Sequence, residues 1–295
     1  LTKIACYTDY KKMINETMPD AVYVVTPTKL HEEMVVYALE HGCHVFCEKP
    51  FSLTEKDGQI MVEAAKKYGK VNQVGYHNRF IGTFVEAKRL MDAGVIGKPF
   101  HFMGEAYGPV VLKRKGGTWR SDKKAGGGCV MDYAAHVLNL INYICSSPIV
   151  KVAGTSMPSI FSAEVDDAVY STLTLENGLK GQLSVCWSDD TVRKMTTSLK
   201  IEGDGGKIFV DATTLKVYVK EDNPKERLVK GWNEKHIPEL APIVFFNLRG
   251  EEYSEETDKF IKCIKENKMS DRNSFEEAYK TDQIINALME DAKNG

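Results

Sequence analysis

Short apolar runs alternate with amphipathic stretches along the first quarter of the chain. Residues 21–25 form a continuous apolar run of β-branched and aromatic side chains, which is typical of a strand buried on both faces of a parallel sheet. Residues 44–47 and 71–75 have the same character. Apolar residues at helical spacing predict helices between these runs, at residues 9–18, 29–40 and 54–68. This order predicts an α/β layer with a parallel sheet.

The periodicity changes after residue 98. From residue 151 onward, apolar and polar residues alternate with period two, as expected for strands with one covered face. Residues 165–175 and 179–187 flank Asn177-Gly178, and Asn-Gly is the strongest short hairpin signal. This half therefore predicts a large, mostly antiparallel sheet. Its other predicted elements are strands at 100–107, 196–202, 207–210 and 215–219, helices at 84–93, 255–267 and 275–293, and an irregular stretch at 221–253.

One polar segment inside the second half suggests chemistry. Gly126-Gly127-Gly128 permits a turn of close backbone approach, and a helix is predicted to follow it. Asp132 and His136 are four residues apart, so they share a helix face, which Asn139 and Tyr143 extend. A carboxylate beside an imidazole suits proton transfer near neutral pH. A helix-capping carboxylate beside a buried histidine is the alternative interpretation. The packed side is expected to carry Met131, Leu138 and Ile141.

Polar clusters also follow the three predicted parallel strands. They are Thr26-Pro27, Glu48-Lys49-Pro50 and Tyr76-His77-Asn78-Arg79. In such sheets ligands bind beyond the carboxyl ends of the strands, so we expect these clusters to meet at one edge.

Composition narrows the possible partners. The formal net charge of −2 does not favour nucleic acid or an acidic membrane surface, and no apolar run has the length of a membrane span. The seven scattered cysteines favour reduced thiols, and no secretory signal pattern is visible, so a cytoplasmic location is expected. Cys43 and Cys47 lack a second ligand pair at zinc-finger spacing, so no metal is expected.

Several motifs occur together in a fixed order. They are Thr26-Pro27-Thr28-x-x-His31, Glu48-Lys49-Pro50, Val74-Gly75-Tyr76-x-x-Arg79-Phe80, Gly94-x-Ile96-Gly97 and Gly126-Gly127-Gly128-x-x-x-Asp132-x-x-x-His136. With them the chain resembles the glucose-fructose oxidoreductase / inositol dehydrogenase / rhizopine catabolism (Gfo/Idh/MocA) family, from about residue 7 to the last helix. The resemblance implies the C-terminal part of a Rossmann-type parallel sheet at 1–76. It also implies a substrate and oligomerisation domain with a large open sheet at 77–275, and a C-terminal helix at 276–295 that packs on the first domain.

The resemblance also implies a reaction, the oxidation of a secondary alcohol of a sugar, glycoside or inositol with NAD or NADP. Lys49 would contact both the substrate hydroxyl and the nicotinamide, His136 would accept the proton, and Asp132 would anchor the substrate beside it. The residues expected to border the cofactor are Thr26, Pro27, His31, Glu48, Lys49 and Pro50. Expected substrate contacts are Tyr76, Arg79, Trp119, Arg120, Tyr133 and Asn139. A homodimer or homotetramer is expected, paired through the exposed sheet face.

Simpler roles remain open for several of these residues. His31 could be a surface helix histidine, and Glu48 could merely pair with a nearby lysine. Arg79 could serve cofactor, substrate or a helix cap. The lysines of the basic loop at 113–124 are expected to be solvated. At the level of function, an NAD-retaining glycoside-cleaving enzyme would use the same residues, whereas a non-catalytic sugar-sensing protein would not need Lys49.

The family's glycine-rich turn after the first strand is absent from this sequence. At roughly 30 residues for each βαβ unit, about 60 residues of the family's first domain are missing. We expect that the chain is part of a longer protein, with a shortened gene product as the alternative. The complete protein is then expected to bind NAD(H), and this segment alone is not.

Overall fold

The computed structural model describes residues 4–114, 118–241, 243–248 and 250–294, with Glu251 described by its backbone only. These residues form two compact units. The first comprises the described residues up to Gly75 together with Lys259–Tyr279, and the second comprises Tyr76–Asp258 and the described residues from Lys280 onward. The domain boundaries expected from the sequence, 1–76, 77–275 and 276–295, remain predictions.

The first unit is a three-stranded parallel sheet with helices. Its strands lie in the order β1-β2-β3, and each pairs in parallel with its neighbour. Local sequence sets the helix ends: the Asp9 carboxylate accepts hydrogen bonds from two amides at the start of α1, and Gly69 ends α3 with φ +60°. The elements are α1 (Tyr10–Thr17), β1 (Ala21–Val24), α2 (His31–Glu40), β2 (His44–Cys47), α3 (Glu55–Tyr68) and β3 (Asn72–Val74).

A segment from the far end of the chain completes this unit. Phe260 packs edge-on against Phe46 of β2, with ring centroids 5.8 Å apart. The Val74 amide donates to the Asn273 carbonyl at 2.8 Å, and the Phe275 amide donates to the Asn72 side-chain oxygen at 2.8 Å. The free edge of β3 is thus bound by residues about 200 positions later in the chain, which no local pattern indicates.

The second unit contains an eight-stranded sheet in the order β11-β10-β9-β8-β4-β7-β6-β5. Neighbouring strands are antiparallel except β4 and β7, which are parallel. The predicted large, mostly antiparallel sheet is therefore confirmed. Its elements are α4 (Gly82–Asp92), β4 (Pro99–Tyr107), α5 (Ala135–Ile144), β5 (Ile149–Ser156), β6 (Ala168–Leu175), β7 (Lys180–Cys186), β8 (Thr196–Gly203), β9 (Gly206–Asp211), β10 (Thr214–Val219), β11 (Gly231–His236) and α6 (Ile237–Leu240). The last two helices, α7 (Glu251–Glu266) and α8 (Phe275–Asn294), each contribute residues to both units.

Helix α5 lies against the covered face of this sheet, and it is buried on all sides from Ala135 to Ile141. Gly104 of β4 makes the close approach possible, because a Cβ there would lie 2.6 Å from Val137 and 2.8 Å from Ile141. Side chains on β4 alternate between this covered face and a half-exposed one. Met131, Leu138 and Ile141 are buried, as the sequence predicts, and the polar side of the same segment is buried as well.

The expectation of an irregular stretch at 221–253 was also wrong. The described part of that stretch contains β11 and α6, and α7 begins at Glu251. Strand β11 is mostly polar, so its own pattern is weak. Pairing with β10 supplies the missing stability, and Trp232 meets Tyr218 across the strands with ring centroids 5.5 Å apart. No described helix is both long and apolar enough to cross a membrane.

Asp167, just before β6, organises the loop that precedes this strand. Its carboxylate is fully buried and accepts hydrogen bonds at 2.5–2.7 Å from the amides of Ile160, Phe161 and Ser162, the Ser162 hydroxyl and the Trp187 indole. Burial alone would raise the pKa of Asp167, but these hydrogen bonds outweigh it and lower the pKa below its ordinary value.

Replacing Asp167 with Asn should lower the free energy of unfolding by about 2–4 kcal/mol at pH 7, because an amide cannot accept all of these donors. The folded pKa is lowered, so the carboxylate stabilises the protein above the ordinary pKa and loses this effect as the pH falls through the folded pKa. Urea unfolding at neutral and acidic pH should therefore show the difference between wild type and D167N shrinking in acid. Asp190→Asn, at an exposed carboxylate, is the control; an equal loss in both variants would contradict the prediction.

Candidate active site

In the first unit, two of the expected polar clusters lie at one edge of the parallel sheet. Thr26-Pro27 follows β1 and Glu48-Lys49-Pro50 follows the adjacent β2, which runs in the same direction. The Glu48 amide donates to the Val24 carbonyl at 2.9 Å and holds the two strand ends together. The third cluster, residues 76–79, belongs to the second unit.

Glu48 is partly buried, and its carboxylate accepts a hydrogen bond from the Lys49 amide at 3.0 Å. Burial raises its pKa, against the opposing effects of this bond and of the Lys49 charge. Gly75 leaves room for the carboxylate, since a Cβ there would lie 3.0–3.1 Å from it. The next peptide bond, Lys49-Pro50, is cis, and the Lys49 side chain is half-exposed at the strand end.

His31 lies inside the unit, since only 1% of its surface is exposed. The alternative of a surface histidine is therefore wrong. Its Nε2 lies 2.9 Å from the Thr26 carbonyl oxygen, and its Nδ1 lies 3.2 Å from that of Phe51. The ring thus ties the segment after β1 to the segment after Pro50. His31 is therefore a buried residue that holds the two loops at this edge of the sheet together.

In the second unit, the glycine turn leads into a π-helical turn at Val130–Ala134, and α5 follows. A helix follows the glycines, as the sequence predicts, but its first turn is π-helical and not α-helical. The Ala135 amide donates to the Val130 carbonyl, five residues back, which widens the turn. The four-residue spacing of Asp132 and His136 therefore does not give the simple stacked alignment of an α-helix. Single π turns are frequent at functional sites.

Asp132 is 4% exposed, and its carboxylate accepts a hydrogen bond from Arg120 Nε at 2.9 Å. The Arg120 guanidinium lies over the Trp119 ring, 4.5 Å from its centroid. Trp119 itself is 39% exposed. Three residues singled out from the sequence therefore form one group at the start of the turn. The exposed lysines of the same loop include Lys113, Lys123 and Lys124, whereas residues 115–117 lie outside the described part of the chain.

His136 is 2% exposed and packs against two aromatic rings. The Tyr76 ring meets it edge-on at a centroid distance of 6.0 Å, and the His77 ring lies 5.0 Å away. His77 packs in turn against Tyr253, with ring centroids 4.9 Å apart. The sequence points to Tyr76 as a site residue but assigns no role to His77 or Tyr253. His77 belongs to the polar cluster at residues 76–79, whereas Tyr253 carries no local signal.

Arg79 and Asn139 were expected to contact substrate, and the structure brings them to each other. Arg79 donates through Nε to the Asn139 side-chain oxygen at 2.7 Å and through Nη2 to the Asn139 carbonyl at 3.2 Å. Asn139 Nδ2 donates to the Thr281 hydroxyl at 3.3 Å, and the Arg79 guanidinium lies over the Tyr143 ring. Both side chains are buried, so this network ties the short turn at His77–Phe80 to α5 and α8. A substrate role for either remains a prediction.

Tyr133 lies in the π turn with its ring buried and edge-on to Trp187, at a centroid distance of 6.4 Å. Gly108 leaves space for its hydroxyl, because a Cβ there would lie 2.3 Å from that oxygen. Burial, followed by the Asp132 charge, raises the pKa of Tyr133 and keeps it protonated. Within the described ranges no group of three or more His, Cys, Asp and Glu residues could hold a metal ion.

Two family models match the chain in sequence. The model described as oxidoreductase family, NAD-binding Rossmann fold, matches residues 1–76, and the model described as GFO/IDH/MocA C-terminal domain matches residues 84–209. These matches confirm the family and the Rossmann-type first sheet expected from the motifs.

Similar proteins carry related names. The chain is 34% identical over 135 residues to scyllo-inositol 2-dehydrogenase (NAD(+)) of Bacillus subtilis (strain 168), covering 46% of this chain and 38% of that protein. It is 30% identical over 191 residues to D-glucoside 3-dehydrogenase of Escherichia coli (strain K12), covering 58% and 52%. The chain thus spans about half or less of these two relatives.

Among solved structures, a levoglucosan dehydrogenase in complex with NADH and levoglucosan superposes with a TM-score of 0.87. The two sequences are 24% identical, and the match covers 98% of this chain and 82% of that one. At this identity the likeness concerns the fold.

The contact between Arg120 and Asp132 can be measured by a double-mutant cycle. Arg120→Ala and Asp132→Asn, alone and together, should give a coupling energy of about 1–2 kcal/mol in urea unfolding, because one partner is buried and the other is partly exposed. A matched cycle of Arg120→Ala with Asp122→Asn should give a coupling near zero, since the Asp122 carboxylate instead accepts from the Lys124 amide. Equal couplings in the two cycles would contradict the contact.

Proposed function

This chain belongs to the Gfo/Idh/MocA oxidoreductase family, and from that premise we propose that it forms most of an NAD(P)-dependent dehydrogenase for a secondary alcohol of a sugar, glycoside or inositol. The observation that carries the proposal is the buried turn that holds Asp132 and His136. Burying polar groups costs stability unless they are hydrogen-bonded or paired. A functional role explains why this turn keeps a carboxylate and an imidazole inside an apolar layer. The names of the inositol and glucoside dehydrogenases among the relatives support the substrate class.

In this proposal His136 takes the hydroxyl proton of the substrate. An imidazole accepts a proton near neutral pH, and the surrounding rings of Tyr76 and His77 fix its orientation and limit its contact with water. Asp132 anchors the substrate beside it, held in place by Arg120. Trp119, partly exposed next to this pair, offers an aromatic face to a sugar ring. Tyr76, Arg79, Arg120, Tyr133 and Asn139 stay predicted substrate residues.

Lys49 is proposed to donate a hydrogen bond to the same alcohol oxygen and so to stabilise the developing alkoxide. Its half-exposed position at the carboxyl end of β2 suits a ligand-binding side chain. Glu48, fixed on the Lys49 amide, would hold the lysine backbone in place.

The strand ends of the first unit fit a nicotinamide cofactor, because two polar clusters share one edge of the parallel sheet. When bound, NAD or NADP accepts the hydride. Thr26, Pro27, Lys49 and Pro50 would border it. His31 would act by shaping these loops, since both of its ring nitrogens lie against main-chain carbonyls. A homodimer or homotetramer and a cytoplasmic location stay predictions.

Full-length protein incubated with NAD or NADP and a panel of inositols, sugars and glycosides should produce reduced nicotinamide, followed by its absorbance. Lys49→Ala and His136→Ala should each lower kcat by about 100- to 10,000-fold. Lys29→Ala and His41→Ala, at exposed positions of the first unit, are the matched controls and should retain full activity.

No turnover with any member of the panel and either cofactor would count against the dehydrogenase. Release of free aglycone without net reduced cofactor would select the glycoside-cleaving alternative. A biological effect that survives both Lys49→Ala and His136→Ala would select the sugar-sensing alternative.

A further inference from the structure

A carboxylate outside the predicted site holds the start of the π turn. Asp166, in the loop before β6, accepts a hydrogen bond from the Val130 amide through Oδ2 at 2.7 Å. Its main-chain carbonyl accepts from the Cys129 amide at 3.0 Å. Gly128 has φ +117°, and a Cβ there would lie 2.5 Å from Asp166 Oδ1. The glycine is therefore required both by its backbone conformation and by the approach of this carboxylate.

The bonds continue from these residues to the site. The Asp132 amide donates to the Gly128 carbonyl at 3.1 Å. Asp132 is therefore hydrogen-bonded to Gly128, the residue against which Asp166 packs. The Val130 carbonyl accepts the amide of Ala135, the residue before His136. The Val130 N–H thus donates to Asp166, and the Val130 carbonyl accepts from the residue next to His136. Val130 therefore links Asp166 to His136.

Resting on the proposed function, we infer that Asp166 is a positioning residue of the active-site turn. It holds the first amides of the turn and thereby sets where Asp132 and His136 stand. It has no need to touch the substrate itself, because its effect passes through Cys129, Val130 and Gly128.

The electrostatics of Asp166 argue against a purely stabilising role. Burial, assisted by the neighbouring Asp167 charge, raises the pKa of Asp166 from 3.8 to about 6, in spite of the hydrogen bond from Val130. The folded protein then binds this proton more tightly than the unfolded chain does. Protonation of Asp166 therefore stabilises the folded state. This contribution is fully present below the pKa of Asp166 in the unfolded chain, and it is lost as the pH rises through the folded pKa of about 6. At neutral pH the ionised carboxylate therefore lowers stability.

Other charged groups near Asp166 are few in the described structure. Lys123, Glu164 and Lys293 line the same cleft of about 290 Å³, which gives the carboxylate access to solvent. Burial holds the pKa of the Cys129 thiol well above its ordinary range, so that group stays neutral. The cleft thus carries two lysines and, with Asp166 included, two carboxylates. The hydrogen bonds to the turn are the specific contacts of Asp166.

Two substitutions separate positioning from charge in the full-length protein. Asp166→Ala removes the acceptor and should lower kcat about 10- to 100-fold, with KM for the cofactor changed by less than about twofold, because small displacements of reacting groups are costly. Asp166→Asn keeps an oxygen for the Val130 amide and should retain most of the activity. The Asn variant should also melt no lower than wild type at pH 8, since it removes a buried charge. Glu164→Ala, on the same loop and cleft, is the control.

Wild-type kcat in D166A would overturn the inference. So would a D166N variant that loses as much activity as D166A and also melts at lower temperature, because that pattern indicates a structural carboxylate.

A readout without turnover keeps this test apart from the proposed function. Amide hydrogen exchange over residues 129–136, followed by mass spectrometry, should become about tenfold faster or more in D166A and stay near wild type in D166N and Glu164→Ala. If wild-type protein shows no dehydrogenase activity but D166A exchanges faster, the proposed function fails while Asp166 still anchors the turn. If exchange over 129–136 is unchanged in D166A, the inference fails whatever the activity.

Discussion

The second unit depends on one constraint, the burial of a polar turn beneath an eight-stranded sheet. Helix α5 is covered on every side, and the π turn before it brings a carboxylate and then an imidazole into the same apolar layer. Such groups are tolerated only where donors and acceptors meet them. Arg120 from the loop before the turn donates a hydrogen bond to Asp132, and the rings of Tyr76 and His77 pack against His136. The contacts that stabilise Asp132 and His136 in the interior are thus the same contacts that would orient them for the proposed reaction.

The adjacent carboxylates of Asp166 and Asp167 have different effects on stability because their surroundings differ. Asp167 receives so many donors that its pKa falls in spite of burial, and it ties the loop before β6 to Trp187. Asp166 accepts fewer hydrogen bonds, and burial raises its pKa to about 6. One group therefore stabilises the fold at neutral pH, and its neighbour lowers that stability while holding the π turn. Stability and activity often oppose each other at functional sites, where strained or costly groups are retained.

Glycines permit the close contacts on which both units rely. Gly104 lets α5 approach β4, Gly128 admits the Asp166 carboxylate, and Gly75 leaves space for Glu48 at the edge of the parallel sheet. In each case a Cβ would lie only 2.5–3.0 Å from a group that the site or its support requires, which is closer than van der Waals contact allows. The glycine pattern of the motifs thus reports packing as much as turn conformation.

Much of the architecture follows from local pattern. The apolar runs of β1 and β2, the helix caps at Asp9 and Thr54, and the hairpin at Asn177-Gly178 encode their own conformation within a few residues. The ordered motifs, from Glu48-Lys49-Pro50 to Asp132 and His136, were enough to identify the family, which the comparisons confirmed.

Tertiary structure alone decided the rest, because it depends on partners far apart in the sequence. The polar strand β11 exists through pairing with β10, and the parallel contact of β4 with β7 joins segments separated by other strands. The chain after Lys259 completes the first sheet through hydrogen bonds with β3. The first amide of the π turn donates to the Asp166 carboxylate, which lies 36 residues later in the chain. The contact between the rings of His77 and His136 forms where a short turn packs against α5. Periodicity records which face of an element is apolar, whereas hydrogen-bond partners and ring contacts are set only when distant elements pack together.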